Sequence, residues 1–167
     1  MKKFLFVSTA VILCSCMACS NKGGGMSDKA QKNLDASHIV GNAFETGKTD
    51  SIDYAVASDF VDHSGMGDKN RDSLKAEITA FHAATKDSKT ETMQEFANDD
   101  YVMSWVRFTG TSDGSIGMPK GPYDMHAIEV VKFKDGKAIE HWGYMEAREM
   151  MKMMAPPTMD NKMDSTK

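Results

Sequence analysis

His126 and His141 flank the run Ala127–Glu140 and are the side chains best suited to acid–base chemistry in this chain. An imidazole titrates near neutral pH, so it can take or release a proton where most side chains cannot. Asp135-Gly136 lies between them amid apolar alternation, a strong signal for a two-residue hairpin turn. That turn pairs Lys134 with Lys137, Val130 with His141, Ile128 with Gly143 and His126 with Met145. Alternation then puts His126, Ile128, Val130, Lys132, Ile139, His141 and Met145 on one face. This apolar face with two imidazoles in it is the expected lining of a ligand cavity. No carboxylate of the hairpin shares it, so desolvation should keep both histidines neutral at pH 7. A hydrogen-bonded core histidine is the competing reading for each.

His63 is a third candidate, at the end of Asp59-Phe60-Val61-Asp62, with Phe60 as an apolar contact beside it. A surface-turn histidine is the alternative there. Trp105 and Arg107 alternate with Val102, Val106 and Phe108. They are expected ligand contacts, Arg107 for an anionic group, against the alternative of a surface cross-strand pair. Glu129, Glu140 and Trp142 fall on the opposite hairpin face. Two carboxylates beside an aromatic ring hint at glycoside chemistry, but a solvated or dimer-forming sheet face is the simpler reading. The histidines lack metal-ligand spacing, and neither a phosphate loop nor a Gly-x-Ser-x-Gly elbow is present. No metal or cofactor is expected. The fifteen methionines, clustered toward the C-terminus, read as gap-fillers rather than thioether ligands.

The elements that must position these residues follow from periodicity. A helix is predicted over Asp28–Thr46, with Gly47 as its C-cap. A short helix over Ser51–Ala57 follows, capped by Thr49 or Asp50, then an extended Asp59–His63 and a loop over Ser64–Asn70. A third helix spans Asp72–Thr85. Strands are predicted at Thr90–Ala97 and Tyr101–Thr109, separated by a turn at Asn98–Asp100. A long loop, Gly110–Pro122, leads into the hairpin, and a short helix at Glu146–Met154 ends the domain. Three helices before an antiparallel meander make an α+β domain, its helices packed on one face of a curved sheet.

Length and charge bound the rest. The chain has 167 residues and a net charge of −4, enough for one cored domain. It opens with Met1-Lys2-Lys3 and the apolar run Phe4–Leu13, a secretory pattern too short to span a bilayer. Cys14, Cys16 and Cys19 close that segment. Cys19, after Met17-Ala18, resembles the acceptor of a bacterial lipoprotein signal, with Cys16 as the alternative. Cleavage before Cys19 removes Lys2 and Lys3 and leaves 18 basic against 24 acidic residues. So acidic a domain is a poor partner for nucleic acid. The expected organisation is a signal at 1–18, a lipidated tether at 19–27, one domain at 28–154 and a disordered tail at 155–167.

Three segments also carry a resemblance. Asp59-Phe60-Val61-Asp62-His63-Ser64 resembles a segment after the second helix of the SnoaL-like polyketide cyclase family. Trp105–Thr111, with Gly114, Gly117-Met118-Pro119 and Gly121, resembles that family's Thr-Gly-Thr-His stretch. Phe133–Trp142 resembles its Gly-Lys-Ile-x-Glu-His-Trp ending. The resemblance implies the nuclear transport factor 2-like cone, about three helices and a bent sheet around one apolar pocket. Two positions depart from it. Ser112 replaces the histidine, and Gly143 stands where enzymatic members commonly place an acid–base Asp. The expectation is an envelope-anchored domain that binds a small, largely apolar molecule and pairs as a homodimer. The alternative is a small acid–base enzyme of isomerase, cyclase or hydratase type using His126, His141 or His63.

Overall fold

The computed structural model describes residues 25–65 and 67–154, with the side chains of 152–154 excepted. The expected signal, the lipidated cysteine and the tail beyond Met154 lie outside these residues. Helix α1 (Asp28–Thr46) runs as its periodicity predicts. Ser27 caps its start by accepting from the Ala30 N–H, and Gly47 ends it in the left-handed conformation, φ 70°. Helix α2 is a single turn, Ile52–Ala55, capped at Ser51 without a side-chain bond. Its predicted last residues instead begin strand β1 (Val56–Asp62). β-branched Val56 and its pairing partner decide that boundary. Helix α3 is Arg71–Ala84, with Asn70 as N-cap.

The remaining strands are longer than predicted. They are β2 (Thr85–Ala97), β3 (Tyr101–Ser112), β4 (Gly121–Lys134) and β5 (Lys137–Met145). Pairing along β3 carries both neighbours through the Gly- and Ser-rich region, so the long loop shrinks to residues 113–120. Helix α4 (Ala147–Met154) follows. The sheet order is β1-β5-β4-β3-β2. Four strands are antiparallel, but β1 lies parallel to β5, so the sheet is mixed rather than purely antiparallel. The segment after α2 is therefore an edge strand, and it brings Asp62 beside His141.

The helices cover one face. Ala36 and Ala43 of α1, Ile52 and Ala55 of α2, and Leu74 and Ile78 of α3 pack with Val56, Phe60, Val102, Phe133 and Ala138. Phe60, expected at the ligand, is thus a core residue. Small residues on α1 let that helix settle close to the sheet.

The hairpin register needs a correction. Lys134 does pair with Lys137, and Phe133 with Ala138. Ile139 is then an extra residue, a β-bulge, and beyond it Lys132 pairs with Glu140, Val131 with His141, Glu129 with Gly143 and Ala127 with Met145. A one-residue offset exchanges faces. His141 and Met145 therefore share the inner face with Ala127, Glu129, Val131 and Phe133. His126, Ile128, Val130 and Lys132 lie on the outer face with Trp142 and Tyr144. The expected lining of one face by both histidines does not occur.

Candidate active site

His141 occupies the inner face of β5 between two carboxylates. Its Nδ1 lies 2.9 Å from Asp62 Oδ1, and its Nε2 lies 2.6 Å from Glu129 Oε2. Asp62 closes β1, and the parallel pairing of β1 with β5 sets it opposite His141. Glu129 reaches in from β4, one diagonal step from the Val131–His141 pair. Asp62 also accepts from the Ser64 N–H at 2.9 Å. The Asp62 side chain is 4% exposed, whereas His141 and Glu129 are 22% and 27% exposed. The buried carboxylate is the anchor, and the open side belongs to the imidazole and Glu129.

Hydrogen-bond chemistry fixes the charge state. An ionised carboxylate only accepts, so a ring nitrogen facing one must carry a proton. With carboxylates at both nitrogens the ring is an imidazolium. Burial pushes the His141 pKa down, but the bonds and charges of Asp62 and Glu129 outweigh it and raise the pKa to about 9. Burial likewise pushes Asp62 up, and the bonds from His141 and Ser64 overcome it, holding that carboxyl well below the usual range. The expectation of a neutral His141 is therefore wrong. It assumed a face without carboxylates, and the bulge and the β1 edge supply two.

The other candidates are dispersed. His126 is on the outer face, paired across strands with Arg107, its ring 6.3 Å from that of Trp105. Arg107 is held by Asp124 through two bonds of 2.8 Å. Trp105 and Ile128 face outward as well, 45% and 42% exposed. With Tyr144 and, at the end of β5, Met145 and Glu146, they line a depression of about 280 Å³. Val130 lines another of about 350 Å³, with Phe96, Tyr101 and Met103. His63 stacks on Trp142 with ring centres 5.1 Å apart and bonds Asp68 at 2.8 Å. It lies back to back with the His141 site across the sheet edge. A second inner polar group is Glu95, which accepts from Ser104 at 2.8 Å and pairs with His38 at 2.8 Å.

Sequence reasoning found His141 but missed both partners. Asp62 sits next to His63, in the first segment of the family resemblance, and that proximity was the available signal. Glu129 was assigned to the wrong face because the bulge is not written in the turn.

Helices over the inner face of a bent mixed sheet, with a partly open carboxylate–imidazolium–carboxylate site on that face, define a cone-shaped α+β protein of the nuclear transport factor 2-like kind. The family model for the SnoaL-like polyketide cyclases matches residues 35–153, and the chain belongs to that family. Membership places it among proteins that bind or transform small molecules. No curated protein matches it. Among solved structures, a candidate SnoaL-like polyketide cyclase from Jannaschia sp. CCS1 is similar at 17% identity with a TM-score of 0.68, covering 81% of this chain and 100% of that one. A candidate polyketide cyclase from Bacillus cereus ATCC 10987 is similar at 24% identity and TM-score 0.63, covering 77% and 85%. An LEH-like epoxide hydrolase from M. tuberculosis shares the fold at 13% identity and TM-score 0.61, covering 75% and 87%.

Proposed function

We propose that this protein is a small acid–base enzyme acting on a small organic molecule, and that Glu129 is its proton carrier. The observation that supports this reading is the clamped imidazole, bonded to Asp62 on its buried side and to Glu129 on its open side. Asp62 fixes the ring's orientation and keeps it charged. The ring in turn fixes Glu129 through Oε2, and Oε1 is not used in that pair. Glu129 takes a proton through Oε1 from a carbon beside a substrate carbonyl, while the His141 N–H, bonded to Oε2, holds the carboxylate in position. Return of that proton elsewhere in the same molecule completes an isomerisation or a ring closure with no net loss of atoms. His141, already protonated, serves as donor and not as base.

The test compares wild type with Glu129→Gln in a small-molecule extract of the source cells, read by mass spectrometry. The enzyme reading requires a compound that wild type consumes, with an isomer of the same mass and different chromatographic retention appearing in its place, and no such exchange with Glu129→Gln. A ligand that co-purifies unchanged with both proteins would instead make this a binder.

We further propose that the domain works at a membrane surface, held there by lipidated Cys19. The short apolar run ending in cysteines and the Gly-rich residues after it support this placement. Cys19→Ala should release the protein from the membrane fraction; retention would move the anchor to Cys16 or elsewhere.

A further inference from the structure

Glu129 and Gly143 are directly opposed on the inner face of the β4–β5 pair. One carries a carboxylate and the other ends at Cα. Glycine inside a strand weakens it, and it commonly marks a close approach of other atoms. Gly143 is not one of the glycines with positive φ, so backbone conformation does not demand it. Space does. A Cβ at position 143 would lie 3.2 Å from Glu129 Oε2, 3.2 Å from Ser64 Cβ and 3.8 Å from His141 Cε1. The volume a side chain would fill at 143 is bordered by the Glu129 carboxylate, by the Ser64 side chain beside Asp62, and by the imidazole.

We propose that Gly143 is a positioning residue whose missing side chain is the seat of the Glu129 carboxylate, and that positions 129 and 143 form one unit delivering a single carboxylate to His141 from either strand. The catalytic meaning of this unit rests on the reading of Glu129 given above; its geometry does not. An Asp at 143 would start from a Cβ already 3.8 Å from the ring, so its carboxylate reaches the same imidazole over a shorter arm. That holds only if the Glu129 side chain is gone, because two carboxylates in one seat repel.

The experiment uses the full chain and follows the His141 ring protons by NMR as pH is raised. Wild type should titrate near pH 9. Glu129→Gly should lower that midpoint by a tenfold or greater change in proton affinity. Gly143→Val should lower it in the same direction although Glu129 is still present, because the branched side chain evicts the carboxylate. The exchange variant, Glu129→Gly with Gly143→Asp, should raise the midpoint again above that of Glu129→Gly alone. A Gly143→Val protein that folds and titrates like wild type overturns the proposal. If that variant does not fold, the exchange variant decides, and its failure to raise the midpoint overturns the proposal equally. Turnover measured on the same proteins separates the two ideas. Restored titration without any turnover in wild type sinks the enzyme reading and leaves the positioning role of Gly143 standing.

Discussion

At the scale of single residues, the Asp62–His141–Glu129 cluster predicts a pH signature. His141 binds its proton more tightly folded, at about pH 9 against 6.5 for the free side chain. Its contribution to stability is therefore complete below about pH 6.5 and is lost as pH rises through about 9. Asp62 runs the other way. Its carboxyl is held below the ordinary 3.8, so its contribution is present above that value and fades as pH falls through its lowered range. Denaturant unfolding of wild type against His141→Gln should show the largest gap near pH 5 to 6 and a shrinking one by pH 9.5. A gap that widens from pH 6 to 9.5 would contradict the charged imidazole. At pH 6 the variant should lose about 3 kcal/mol, because it strands a buried carboxylate without its cation. His141 was legible in the sequence as an acid–base candidate. Its partners were not, since one arrives from 79 residues away and the other depends on a bulge.

At the scale of elements, local signals were legible and long-range pairing was not. Helix α1 and its glycine cap are found where apolar spacing and Gly47 placed them. The alternation of β3 set Val102 and Val106 on one face and Trp105 and Arg107 on the other, and the structure keeps that division but turns the second face outward, away from the site where ligand contacts were expected. The extended segment at Asp59–His63 was legible, but its parallel pairing with β5 was not, because nothing in the seven residues of β1 names a partner eighty residues on. Gly47 also does more than end a helix. A Cβ there would lie 2.5 Å from the His82 ring of α3, and its φ is 70°. Gly47→Ala combines a clash with a left-handed residue and should destabilise by roughly 2 kcal/mol. Thermal unfolding measures this, and a second change, His82→Ala, should recover only the steric part. Complete recovery, or no loss at all, would show that the left-handed turn is not under constraint.

At the scale of the molecule, the outer sheet face stands apart from the rest of the surface. Phe96, Tyr101, Met103, Trp105, Ile128 and Tyr144 are all 40% or more exposed there. Pairing brings Phe96 beside Met103, and Trp105 beside Ile128, so these side chains form one contiguous patch. Contiguous exposed apolar area of this kind marks an interface, and charges of both signs, Arg107 with Asp124 and Lys132 with Glu140, lie on the same face. We propose that two copies pair through this face. The dimer-forming hairpin face expected from the sequence changes accordingly: Glu140 and Trp142 stay in it, while Glu129 turns inward. Light scattering at micromolar concentration should give twice the chain mass, and Trp105→Lys should give the monomer. A wild-type monomer would leave the patch for another occupant.

The bulge at Ile139 has a consequence in time as well as in space. A hairpin closes within microseconds from its turn outward, before distant strands arrive. The Asp135-Gly136 turn by itself favours the regular ladder, which collects Ile128, Val130, Ile139 and His141 on one side. The native ladder departs from it two pairs beyond the turn. The isolated hairpin and the finished domain thus want different registers, and the native one must be selected later, when Asp62 on β1 and Glu129 on β4 capture the imidazole. Deleting Ile139 removes the conflict. The hairpin should then zip directly into the native register, with Val131 opposite His141, and the imidazole should keep its raised pKa of about 9 while the domain folds faster.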